Sequence, residues 1–101
     1  MHGTGGCDMR GFLSFQILWL LSKEDMCGEG LAVEIEKRRG DKPKPGTLYP
    51  ALKDLSDKGL IEGKKSGKEV TYALTKKGKA AVVEAKAYFI RSFGDILSHD
   101  T

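Results

Sequence analysis

Pro45-Gly46-Thr47-Leu48-Tyr49-Pro50-Ala51-Leu52-Lys53-Asp54-Leu55, then Lys58-Gly59-Leu60-Ile61, then Val70-Thr71-Tyr72-Ala73-Leu74-Thr75 and Gly78, is the stretch that decides how this chain folds. Leu48, Leu52 and Leu55 recur at helical spacing, so a short helix presents one apolar face. Gly59 is the stop signal. Placed in the left-handed cap position, it lets Leu60 fold back onto Leu55. Two strand-like runs follow, Leu60 to Lys65 and Lys68 to Leu74. In the second, Val70, Tyr72 and Leu74 alternate with Glu69, Thr71 and Ala73, the period of a half-buried strand. Ser66-Gly67 is the expected tight turn between them. Thr75 suits the N-cap of a last helix over about 76–97.

Helix, glycine stop, hairpin with a basic tip and a new helix is the order of a winged helix-turn-helix. The upstream chain supplies the remaining helices. Residues 9–22 form a first helix with two apolar sides, Leu13, Ile17, Leu20 and Leu21 on one and Phe12, Phe15 and Trp19 on another. A helix apolar on two sides is buried on both, so the aromatic side needs a second partner. Lys23 to Cys27 is a polar connection. Gly28-Glu29-Gly30 opens a second helix running to about Arg39, with Leu31, Ala32 and Ile35 inward. The expected fold is mainly α with a small antiparallel β-hairpin. A tail over 1–8 precedes a winged helix-turn-helix unit over 9–75 and a long C-terminal helix over 76–98.

The start of the third helix has two readings. Pro45 suits a first helical position, where a missing N–H costs nothing, but Pro50 then falls inside the helix. With Thr47 as N-cap, Pro50 stays within the first turn. Both readings put Gly46 and Thr47 at the helix N-terminus, which favours an anion. Both also turn Thr47, Tyr49, Pro50 and Lys53 outward. In this fold that face enters the DNA major groove. Tyr49 is suited to a phosphate or a base edge, or to half-buried packing with its hydroxyl in water. Lys53 can reach phosphate or guanine.

Net charge is only +3, but it is unevenly placed. Residues 42–79 hold ten lysines against four acids, a net of +6, and the remainder of the chain is at −3. Lys44 leads into the third helix, and Lys64, Lys65 and Lys68 surround the hairpin tip. Such a field suits phosphates, and these contacts position a protein without reading sequence.

The last helix carries Val82, Ala85, Phe89, Phe93 and Ile96, flanked by Val83, Ile90 and Leu97. That band is wider than a small winged-helix core can cover and implies a partner surface. Phe15, Trp19, Phe89 and Phe93 can alternatively wall a pocket for a small hydrophobic or aromatic effector. Cys7, Cys27 and His2 match no metal-ligand spacing, no cofactor is implied, and no nucleophile–base pair that would mark an enzyme can be assembled. With no membrane-length apolar run and no secretory signal, a cytoplasmic protein is expected.

Gly46-Thr47-Leu48-Tyr49-Pro50-Ala51-Leu52, Gly59-Leu60-Ile61 and Tyr72-Ala73-Leu74-Thr75-Lys76-Lys77-Gly78 resemble the PadR family of transcriptional regulators over about 10–98. The resemblance is to the short type, without an added C-terminal domain. It implies a dimeric repressor that binds double-stranded DNA at a pseudo-palindromic promoter site, with Tyr49 on DNA and the last helix packed across a two-fold axis. It also implies an aromatic residue directly after Gly28. This chain has Glu29 there, whose carboxylate would repel phosphate. The competing expectation is a winged-helix protein-interaction module that never touches nucleic acid, which would have no need of the basic half.

Overall fold

Why these segments become helices and strands is clearest at their ends. The computed structural model describes residues 9–98. In chain order it contains α1 (Met9–Leu21), β1 (Met26–Cys27), α2 (Gly28–Arg39), α3 (Pro45–Asp57), β2 (Ile61–Ser66), β3 (Glu69–Leu74) and α4 (Lys76–Ser98). The expected tail over 1–8 lies outside the described residues.

Helix α2 stops at Gly40, which takes a φ of 92° and returns its N–H to the Glu36 carbonyl at 2.8 Å. Helix α3 ends in a Schellman arrangement. Gly59 has a φ of 76° and donates to Ser56, while Leu60 donates to Leu55 at 3.0 Å. At the other end α3 takes the early start, with Lys44 as N-cap and Pro50 inside the helix. Pro50 has no N–H to give the Gly46 carbonyl. Gly46 is exposed, so water replaces the lost donor. Helix α4 begins at Thr75, whose Oγ1 accepts from the Gly78 N–H at 3.0 Å.

The sheet has three strands in the order β1-β3-β2, all antiparallel. The expected polar connection before α2 therefore ends in a strand, with Met26 opposite Tyr72 and Cys27 opposite Thr71. Two residues are too few to show a period, so only the pairing reveals β1. Because β3 lies in the middle, Val70 to Leu74 are all partly buried rather than alternating. The hairpin turn is one residue later than expected. Ser66 pairs with Glu69, and Gly67 and Lys68 turn the chain. Gly67 has a φ of 64°, so glycine occupies the first central position.

The core forms where the three helices of the winged unit meet the sheet. It contains Leu13, Ile17, Leu18, Leu20 and Leu21 of α1, Leu31, Ala32 and Ile35 of α2, Leu48, Leu52 and Leu55 of α3, and Ile61. Val82, expected among the outward interface residues, belongs to this core and is only 6% exposed. The first turns of α4 lie against the winged unit, so Gly78 and Val82, four apart, face inward. No helix among the described residues is long and apolar enough to cross a membrane.

Gly78 marks the tightest backbone approach. A Cβ there would fall inside the Leu60 carbonyl oxygen and against the Leu74 side chain. Gly46, by contrast, has open space around it. Gly78→Ala is expected to cost about 1–3 kcal/mol of stability, the usual range for forced overpacking. Gly46→Ala is expected to gain roughly 0.5 kcal/mol from helix propensity and reduced unfolded-state entropy. Urea denaturation of the two variants measures both effects.

Candidate nucleic-acid interface

The exposed side of α3 is held in place by the buried row Leu48, Leu52 and Leu55. Thr47, Tyr49, Pro50 and Lys53 are accordingly exposed, as are Lys44 and Gly46. The N–H groups of Thr47 and Leu48 both donate to the Lys44 carbonyl at 2.9 Å. Pro45 has no N–H, so Gly46 supplies the free amide of this helix start. The expected anion seat narrows to one backbone donor.

Tyr49 is 48% exposed, and its ring lies over the start of α2. A Cβ on Gly28 would come within 2.9 Å of two Tyr49 ring carbons, so glycine at 28 is what admits the ring. Tyr49 thereby separates two clefts. One, of about 230 Å³, lies between the start of α2 and the wing and includes Cys27, Lys68 and Tyr72. The other, of about 340 Å³, lies toward the turn before α3 and includes Lys42, Pro43 and Leu48. Burial raises the pKa of Tyr72, and the neighbouring Tyr49 adds to the shift.

The lysines fall into two groups. Lys53 is bound by Asp57 at 3.1 Å and Lys58 by Asp54 at 2.9 Å, each one helical turn away. Lys42 holds Glu29 at 2.6 Å. Its hydrogen bond with Glu29, followed by the attraction of that charge, raises the Lys42 pKa. The wing lysines Lys64, Lys65 and Lys68, and Lys44, are exposed and form no ion pair among the described residues. Lys68 reaches the same cleft as Tyr49, which puts the wing and α3 on one surface.

Three features of this surface escape sequence reading. Cys27 caps α2, its Sγ accepting from the Gly30 N–H at 3.4 Å. Its place just before a helix start was the available signal. The Gly28–Tyr49 contact and the Glu29–Lys42 pair join residues far apart in the chain, and no local pattern announces them. Among the described residues, no three His, Cys, Asp or Glu groups gather as a metal site, while Cys7 and His2 lie outside those residues.

The second candidate surface is the meeting of α1 and α4. Phe12 and Phe93 have ring centroids 6.4 Å apart, and Phe15 and Phe89 5.8 Å apart. Phe89 and Phe93 pack in a tilted pair with ring centroids 5.1 Å apart. The pairing order shows that the two helices run antiparallel. Further along, Phe15, Trp19, Leu20, Phe89 and Ile90 line an apolar cleft of about 290 Å³, with Arg38 and Lys86 also on its wall. Phe93 does not line it. Lys23 and Arg38 lie over the Trp19 ring at 4.9 and 5.5 Å. Ile90, Ile96 and Leu97 are 64%, 68% and 71% exposed, and among the described residues no element covers them.

The Gly28–Tyr49 contact yields a direct test. Gly28→Ala is expected to lower stability, and truncating Tyr49 to Ala in that background to recover most of the loss. A double-mutant cycle in urea reads this as a coupling of about 0.5–3 kcal/mol.

Residues 17–84 match the model of the transcriptional regulator PadR-like family. Transcriptional activator GvpE2 of Halobacterium salinarum is 32% identical over 73 residues, which cover 71% of this chain. The chain spans 38% of that relative's length. Among solved structures, RosR of Halobacterium salinarum superposes with a TM-score of 0.75 at 32% identity, covering 93% of this chain and 84% of RosR. A PadR family transcription regulator from Clostridium difficile superposes with a TM-score of 0.72 at 26% identity, covering 87% of this chain and all of that one. The family match takes in the whole of α2, α3 and the wing, and the chain belongs to the PadR-like family of winged helix-turn-helix transcriptional regulators.

Proposed function

We propose that this regulator is a dimeric repressor that occupies a pseudo-palindromic promoter site through two copies of the α3–wing surface. The observation that carries the reading is the meeting of Tyr49 and Lys68 on one cleft. It joins the exposed face of a helix suited to the major groove with a wing suited to the flanking backbone. Gly46, Thr47, Tyr49, Pro50 and Lys53 face the groove in this reading. Lys44, Lys64, Lys65 and Lys68 provide phosphate contacts. Lys53 exchanges Asp57 for DNA.

The uncovered apolar residues on α4 support a second copy as partner. Paired across a two-fold axis, Phe12, Phe93 and Ile96 lie at or near the contact, and two copies of α3 face one side of the DNA. The cleft beside Trp19 is the proposed seat for a small hydrophobic or aromatic effector. An occupant there would favour one arrangement of α1 and α4 over another. The sign of regulation follows from where the operator lies. Repression is read from a promoter–reporter pair, and increased expression would instead align the chain with the activators to which it is similar.

Lys64, Lys65 and Lys68 changed together to Gln should reduce the salt slope of DNA binding by up to about 0.9 per lost phosphate contact, or roughly 2.7 in all. Titration of a promoter duplex at several salt concentrations measures it, and an unchanged slope would remove the wing from the interface. Ile90→Lys with Leu97→Lys should halve the sedimenting mass while leaving the helical signal intact. Trp19 is the sole tryptophan, so its fluorescence reports directly on occupancy of the cleft.

A further inference from the structure

The proposed DNA surface contains one feature that works against phosphate binding. Glu29 lies in the first turn of α2, beside Tyr49, and forms part of the wall of both clefts that flank that ring. Its side chain is 65% exposed, so the carboxylate faces solvent on the side where the backbone of DNA would run. Glu29 is not free, however. Its Oε2 holds the Nζ of Lys42 at 2.6 Å, across thirteen residues of sequence. Lys42 stands in the turn that leads into α3, two residues before the N-cap Lys44. One cation of the basic half is therefore tied down at the point where it would otherwise extend the Lys44 end of the phosphate track.

Two other lysines of this half are also paired, but differently. Lys53 and Lys58 meet acids on their own helix, four residues away. All three pairs are solvent-exposed and individually weak. The Glu29–Lys42 pair instead bridges α2 to the turn before α3, and the positive end of α2 favours the carboxylate at that position.

We infer that Glu29 restrains the phosphate affinity of this surface: by holding Lys42, it lowers sequence-independent binding to DNA. The inference rests on the reading that α3 and the wing face DNA. Its physical content is that Lys42 contributes no phosphate contact while Glu29 is present. Affinity for DNA of any sequence is lowered by one counterion-releasing contact.

The test is a salt titration of the full chain on a short mixed-sequence DNA duplex, with four proteins: the native chain, Glu29→Gln, Lys42→Gln and the double variant. Glu29→Gln should steepen the slope of log K against log salt by about 0.9 and tighten binding roughly eightfold at about 0.1 M salt. Lys42→Gln alone should leave the slope unchanged. The double variant should return the slope to the native value. A slope unaltered by Glu29→Gln overturns the proposal. So does a shallower slope in Lys42→Gln alone, which would place Lys42 on phosphate already. A steeper slope that persists in the double variant also overturns it, since the effect would then be removal of repulsion alone. Failure of the native chain to bind the duplex at any salt would overturn the DNA-facing reading itself, and the proposal with it. Circular dichroism of the four proteins confirms that the comparison is between folded chains.

Discussion

The approach of Gly78 to the Leu60 carbonyl is the constraint on which the arrangement of the helices depends. Around it, the end of α3 and the start of α4 satisfy each other's unpaired backbone groups. Thr75 donates its N–H to the Leu60 carbonyl at 3.1 Å and its hydroxyl to the Gly59 carbonyl at 2.6 Å. The same hydroxyl accepts from Gly78, and the Lys77 ammonium donates to the Lys58 carbonyl at 2.9 Å. The carbonyls of a helix C-terminus and the amides of a helix N-terminus are both left over when a helix ends. Here one junction serves both. The wing is clamped at its base as a result, because Leu60 precedes β2 and Thr75 follows β3.

Much of this was legible in the chain, where one residue type has one physical use. Gly59 after an apolar helical stripe implies a left-handed cap, and the structure places it in one. The inward rows of α1, α2 and α3 follow from spacing and are buried as expected. Thr75 before a helical run implies a cap, and it is one. Legibility fails where a role is set by a distant neighbour. Strand β1 exists only because β3 lies beside it. Val82 looks like any other apolar residue of α4 until the angle of that helix puts its first turns on the core. Glu29 and Lys42 carry opposite charges, but nothing local says that they meet.

The candidate site divides in the same way. That a basic half exists is a matter of counting. Which of its lysines are engaged is only partly local: Asp57 and Asp54 lie one helical turn from Lys53 and Lys58, whereas Glu29 reaches Lys42 from another helix. Of the ten lysines in this half, three are held by acids and seven form no ion pair among the described residues: Lys44 before α3, Lys64, Lys65 and Lys68 on the wing, and Lys76, Lys77 and Lys79 at the start of α4.

The shared junction of α3 and α4 has a mechanical side. The two helices are joined through their caps with only Leu60 between Gly59 and β2, so the junction has little slack to absorb a rotation. Helix α4 has 23 residues, a lever about 34 Å long at 1.5 Å per residue. In a two-fold pair built on that helix, a tilt of about 6° about one end would displace the other end by roughly 3.5 Å. Such gearing would turn small angular changes into spacings on the scale of a base-pair step. A chain with a pliable linker at residues 59 and 75 would dissipate the same motion before it reached α3.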